Sequence, residues 1–269
     1  MDLDGAHVLI TGASRGIGAA LATEYARRGA MVSMAARSGE VLERRAQDIG
    51  GHAFVCDLLD PGQVDELIDR VTSDVGPVDV LVNNAGLETI QTFHASEPSG
   101  VRDVVRLNLE VPIVLTRLVL PSMLERRRGH LVYLSSLAST GGFPGLTVYS
   151  GTKAGVNNFV AALRMELKDT PISTTIVAPG PVDTEMWDRI EESQEYAALV
   201  ARLRLLRLIP KASPESVARR TVDATVSERR HVRMPTRLLA NHLLREAPTR
   251  LTELLTTGVV VGPRVERSE

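Results

Sequence analysis

The sequence predicts an α/β fold, a doubly wound parallel sheet in one domain followed by an amphipathic C-terminal helical tail. Three observations carry this. Short β-rich runs alternate with longer segments of helical period; the strand runs carry few charges and little strict alternation, as expected where helices cover both faces of a parallel sheet; and Gly, Asn, Ser and Pro collect at the strand ends.

In chain order, a strand over His7 to Ile10 precedes a helix over Ile17 to Arg28, Ala30 to Ala36 precedes Glu40 to Ile49, and Ala53 to Cys56 precedes Val64 to Val75. A fourth strand follows at Val78 to Val82, then a long helix from about Gly100 to Arg127, a strand at Leu131 to Leu134, a helix from about Val148 to Lys168 and a strand at Ser173 to Val177. Val232 to Met234 reads as a final edge strand. The 269 residues fall short of two domains of roughly 150, and no internal repeat or low-complexity linker divides them. One domain over 1–235 and a tail over 236–269 are therefore expected. In the tail, Leu239, Leu243, Ala247, Leu251 and Leu254 recur at helical spacing among arginines, interrupted near Pro248.

Composition excludes some classes. With a formal net charge of −2, no global field draws the chain to nucleic acid or anionic lipid. The longest uninterrupted apolar run, Tyr196 to Ala201, has six residues, far short of the ~20 that cross a bilayer, and the start Met1-Asp2-Leu3-Asp4 is acidic where a secretory leader would be basic. A single cysteine, Cys56, cannot form an intramolecular disulfide, so a cytoplasmic location is expected. The six histidines show no metal-ligand spacing and belong to no nucleophile motif, which disfavours metal and hydrolase chemistry.

Directly after the first strand comes Thr11-Gly12-Ala13-Ser14-Arg15-Gly16-Ile17-Gly18, opening a helix. Glycines there permit a tight turn and close backbone approach to a pyrophosphate, whose charge the free amides and the helix dipole hold. An acidic residue at the end of the second strand would bind a ribose diol; Ala36 and Arg37 stand there instead. Arg37 and Arg15 can form charge-assisted bonds to a 2′-phosphate, so NADP(H) is favoured over NAD(H), the alternative being solvated loop charges or Arg37 stacked on adenine.

Tyr149 and Lys153 stand four apart at the start of a predicted helix, on one face. A phenol of pKa ~10 is a poor acid or base at neutral pH, and a nearby ammonium favours the phenolate; lowering the value to ~7 corresponds to about 4 kcal/mol. With four Tyr and three Lys, chance would supply about 0.04 such pairs. Thirteen residues before Tyr149 the strand Leu131 to Leu134 ends in Ser135 and Ser136, and a hydroxyl there can hold a substrate carbonyl against the phenol. Ser136 is the choice and Ser135 the runner-up, with a backbone-bonded structural hydroxyl as the alternative.

Taken together these motifs resemble the short-chain dehydrogenase/reductase family in its single-domain, Rossmann-type form, over about residues 5 to 235. Further matches are Cys56-Asp57-Leu58, Asn83-Asn84-Ala85-Gly86 and Pro179-Gly180-Pro181-Val182-Asp183-Thr184. The resemblance implies that the glycine turn (Gly12, Ser14, Arg15, Gly16, Ile17, Gly18), Asp57, Leu58, Asn84, Ala85, Gly86, Pro179, Gly180, Val182 and Thr184 contact the cofactor. It implies that Tyr149 exchanges a proton with the substrate oxygen, that Lys153 also binds the nicotinamide ribose, and that Asn108 completes the catalytic set with Ser136 by holding a water in a proton relay. It further implies a homodimer or homotetramer, the family commonly pairing its fourth and fifth helices. Duller roles stay open: Asn108 at a helix kink near Pro112, and Asp57 as a turn former. Gly151 stands where the family often has Ala.

The segment after Thr184 is strongly apolar: Met186, Trp187, Ile190, Tyr196, Leu199, Val200, Leu203, Leu205, Leu206, Leu208 and Ile209. It points to a lipophilic carbonyl or alcohol, with Met186 and Trp187 as substrate contacts, against simple helix packing as the alternative. The tail either covers the core, extends an interface or lies on a membrane surface, the first two favoured at roughly two to one. Three functions compete: an NADP(H)-dependent carbonyl/alcohol oxidoreductase, a 3-oxoacyl-thioester reductase, and a non-catalytic NADP(H)-binding regulatory protein.

Overall fold

The computed structural model describes residues 1–192, 201–202 and 210–234. Seven strands pair in parallel throughout: β1 (His7–Thr11), β2 (Met31–Ala36), β3 (His52–Val55), β4 (Val80–Asn83), β5 (Gly129–Leu134), β6 (Ile172–Pro179) and β7 (His231–Met234), in the spatial order β3-β2-β1-β4-β5-β6-β7. The order reverses between β1 and β4. In such a sheet that reversal opens a crevice beyond the strand carboxyl ends. Each predicted strand is present with ends moved by no more than a residue or two.

Alternate strand residues serve two cores. Val8, Ile10, Val32, Met34, Val82, Val132 and Val177 pack under α1 (Gly16–Arg27), α2 (Gly39–Asp48) and a helix over Pro214–Val226, while Leu9, Leu81, Leu131, Tyr133 and Ile176 pack under α3 (Pro61–Asp74), α5 (Val111–Glu125) and α6 (Thr147–Glu166). Burial on both faces explains why the strand runs lack polar alternation.

Two helical features differ from the expectation. The predicted helix from Gly100 to Arg127 is divided into α4 (Pro98–Val105) and α5 by a wider π turn over Arg106–Glu110. Pro112 has no N–H for the Asn108 carbonyl four residues back, so the regular ladder cannot run through this point. The run Pro98–Glu125 is long and apolar enough to cross a membrane by length and composition, yet its Val111, Leu115, Val119 and Met123 lie in the core. The second difference follows α7 (Glu185–Glu192): a helix not read from the sequence, α8 (Pro214–Val226), starts at Ser213, whose hydroxyl accepts from the Ser216 N–H at 3.1 Å, with Pro214 at its first position. Its buried stripe is Val217, Ala218, Thr221, Val222, Ala224 and Thr225, small or half-polar types that give little periodic signal. The Tyr25 hydroxyl bonds Thr225 at 2.7 Å and ties α1 to α8.

The tail over 236–269 and the lid positions Tyr196, Leu199, Val200, Leu203, Leu205, Leu206, Leu208 and Ile209 lie outside the described residues, as does the Ile190 side chain.

Candidate active site

The crevice is stitched at the switch point. The amide of Asn84, just past β4, donates to the carbonyls of Thr11 at 2.8 Å and Gly12 at 3.1 Å, while the Thr11 hydroxyl accepts from the N–H groups of Asn84 and Ala85 at 3.0 and 3.1 Å. Gly12 has φ +65°, and a Cβ there would stand 2.8 Å from the Ala85 Cα; one on Gly18 would meet the Gly12 carbonyl oxygen at 2.3 Å. Only glycine fits either position. Helix α1 begins with Arg15 at its cap, no side-chain cap and no acid in the first turn, so its leading amides point toward the crevice unanswered by any carboxylate of their own helix.

One cavity of about 980 Å³ runs along the carboxyl edge. It is lined by Gly12, Ser14, Arg15, Gly16, Ile17, Gly18, Arg37, Asp57, Leu58, Asn84, Ala85, Gly86, Ser136, Tyr149, Lys153, Pro179, Gly180, Val182, Thr184, Met186 and Trp187. Every predicted site residue except Asn108 is therefore brought to one cavity. Ser38, Arg45, Glu88, Ile90, Leu107, Phe143 and Leu146 also line it and were not singled out from the sequence. Arg45 on α2, Leu107 on the π turn and the loop residues among them carry no local motif that marks them.

Asn108 lies directly behind the wall, fully buried on the π turn. Its side-chain oxygen accepts from the Leu87 N–H at 2.8 Å, its amide donates to the Leu87 carbonyl at 2.7 Å, and a further contact reaches the Thr152 hydroxyl at 3.3 Å. Gly86 lies between them: a Cβ on it would stand in ordinary contact, 3.4 Å from the Asn108 side-chain oxygen and 3.6 Å from Lys153 Nζ.

Lys153 is 5% exposed; its ammonium donates to the Leu134 carbonyl at 2.7 Å and stands 5.6 Å from the centre of the Tyr149 ring. Ser136 Oγ accepts from the Ala138 N–H at 3.1 Å and faces the Tyr149 phenol across the cavity wall. Burial pushes the phenol up to about 12, opposed by the Ser136 hydroxyl and reinforced by the charge of Glu88. Burial likewise pushes the Lys153 ammonium down to about 8. The lowered phenol expected from the Tyr/Lys spacing is thus not what this wall produces. Both groups sit in one poorly solvated environment, which penalises the charged form of each.

Two cofactor-side residues have other partners. Asp57 accepts from the Leu59 N–H at 3.0 Å, turning the chain after β3. Arg15 pairs at 2.5 Å with Glu185 at the start of α7, both side chains about two-thirds exposed at 64% and 65%. Arg37 is exposed at the end of β2, beside Ser38 and Arg45 on the cavity wall. The uncapped helix start, the sterically required glycines and this cationic corner fit a dinucleotide with its pyrophosphate on α1.

A family model described as short chain dehydrogenase matches residues 6–195. Among curated relatives, a protein named ketoacyl reductase HetN from Nostoc sp. is 33% identical over 98% of this chain and 88% of its own. The 3-oxoacyl-[acyl-carrier-protein] reductase FabG of Escherichia coli is 30% identical over 74% of this chain and 82% of its own. A solved metagenomic short-chain oxidoreductase in complex with NADP superposes with a TM-score of 0.70 at 28% identity, covering 87% of this chain and 98% of that one.

Proposed function

We propose that this chain, which belongs to the short-chain dehydrogenase/reductase family and is an NAD(P)-dependent oxidoreductase acting on CH–OH and C=O groups, reduces a carbonyl with NADP(H) and Tyr149 as its general acid. The observation that carries the reading is the meeting of Ser136, Tyr149 and Lys153 on the wall of the cavity into which the glycine turn opens. When bound, the nicotinamide supplies the hydride.

Ser136 donates to the carbonyl oxygen and holds it against the phenol. Tyr149, kept protonated by burial, hands its proton to that oxygen as negative charge develops there. The Lys153 charge and the Ser136 hydrogen bond then stabilise the phenolate left behind. Asn108 braces Leu87 with its side chain, and its backbone carbonyl, denied a donor by Pro112, is the part of it suited to a relay water. Lys153 would also hold the ribose of the nicotinamide. Arg37, with Arg15 once it leaves Glu185, binds the 2′-phosphate and favours NADP(H) over NAD(H).

The apolar lining that Ile90, Leu107, Phe143, Leu146, Met186 and Trp187 give the cavity supports a lipophilic body on the substrate. A 3-oxoacyl-thioester is the second reading, favoured by the names of the two curated relatives. A purely regulatory NADP(H) binder would need neither Ser136 nor Tyr149. A cytoplasmic homodimer or homotetramer joined through the Pro98–Glu125 run and α6 completes the proposal, with Leu124 exposed on the first and Met165 on the second. Membrane-surface contact by the tail over 236–269 is tested by liposome flotation with and without it.

Fluorescence titration with NADPH and NADH, followed by a carbonyl panel read at the absorbance of the reduced nicotinamide, tests the function. NADPH-dependent loss of a ketone is expected. Near-normal turnover by Tyr149→Phe would rule the mechanism out.

A further inference from the structure

Glu88 follows directly on Leu87, whose N–H and C=O are both held by the buried Asn108 amide, so the backbone that carries Glu88 is clamped at 2.8 and 2.7 Å from a residue in the helical layer. The side chain is only 8% exposed, yet it lines the catalytic cavity together with Tyr149 and Ser136. Apolar residues Ile90, Leu137, Phe143 and Leu146 line the same cavity. A carboxylate among such walls is poorly screened, and it reaches the Tyr149 phenol electrostatically, adding to the rise in its pKa. Whatever else the carboxylate bonds inside the fold, it stands on the wall of the cavity that also holds Tyr149 and Ser136.

We infer that Glu88 is a specificity-determining residue of this site, selecting against substrates that carry a negative charge next to the reacting carbonyl and for neutral ones that present a hydroxyl or amine there. The inference rests on the carbonyl-reducing function proposed above. A hydroxyl beside the carbonyl donates a charge-assisted hydrogen bond to the carboxylate, whereas a substrate carboxylate in the same place meets like charge. The substrate class is thus a hydroxy- or amino-ketone with an apolar chain, in preference to a keto acid.

The test compares three carbonyls of equal chain length, an α-hydroxymethyl ketone, the plain methyl ketone and the α-keto acid, each with NADPH. The expected order of kcat/KM in the wild type is hydroxy ketone, then methyl ketone, then keto acid. Glu88→Gln, nearly isosteric, should shrink the ratio of hydroxy ketone to keto acid by about tenfold or more, and Glu88→Asp should restore the wild-type order. NADPH titration and thermal melting report that each variant is folded. A wild type that prefers the keto acid overturns the inference without any variant, and an unchanged ratio in folded Glu88→Gln overturns it too. In both cases methyl-ketone turnover that Tyr149→Phe abolishes leaves the proposed function standing. If none of the three carbonyls shows Tyr149-dependent turnover, the inference and the proposed function fall together.

Discussion

The two edges of the sheet bury similar chemistry to different ends. At the amino edge, His7 bonds the Gly76 carbonyl and the Ser33 hydroxyl, both at 2.8 Å, and Asp79 takes Arg126 at 2.6 Å and the His7 N–H at 3.2 Å. His130, fully buried, is held between Thr175 at 2.8 Å and Ser173 at 2.7 Å. At the carboxyl edge, Ser136, Tyr149, Lys153 and Glu88 are as dense in polar atoms, but the loops part there and leave the cavity of about 980 Å³. The difference teaches that a buried histidine or a shifted pKa does not mark a site by itself. The amino-edge groups answer one another, while those at the carboxyl edge converge on a volume that a ligand can fill.

Tyr149→Phe should lower turnover by about a thousandfold while NADPH affinity and melting temperature stay close to wild type, measured by steady-state kinetics and fluorescence titration. The opposite pattern is expected at the other edge, where His130→Leu leaves the kcat of folded enzyme intact and acts on stability.

That stability effect carries a sign. Burial pushes His130 down to about 3 from an ordinary 6.5, so the folded protein keeps the ring neutral while the unfolded chain protonates it. The contribution is whole above about pH 6.5 and is lost toward pH 3 as the unfolded state takes up the proton, at up to about 1.4 kcal/mol per pH unit. Urea midpoints measured down the pH scale should fall less steeply in His130→Leu than in the wild type.

Smaller effects separate the two arginines of the cofactor corner. Arg37→Ala should weaken NADPH binding by about tenfold and NADH binding by far less, since only one of them carries the extra phosphate. Arg15→Ala should change unfolding free energy by less than about 1 kcal/mol, its ion pair with Glu185 being exposed.

Much of the site is legible because its parts are local. The glycine turn from Gly12 to Gly18 sits between a strand and a helix, and Tyr149 and Lys153 meet because four residues make one helical turn. Glu88 is a counter-example: nothing around it in Leu87-Glu88-Thr89 distinguishes it from a surface loop acid until Asn108, some twenty residues on, fastens its neighbour. Helix α8 was hidden by its small, half-polar stripe, although Ser213-Pro214 is a start signal.

The run of strands along the chain, the glycine turn between the first strand and helix, and the one-turn pairing of Tyr149 with Lys153 were all readable from local sequence, since periodicity, glycine stereochemistry and helical spacing act over a few residues. Tertiary structure alone decided the partners of Asn108, the placing of Glu88 in the cavity and the direction in which Tyr149 and Lys153 shift. Those depend on which distant segments exclude water from a group, and desolvation is a property of the assembled wall rather than of the residue or its neighbours in the chain.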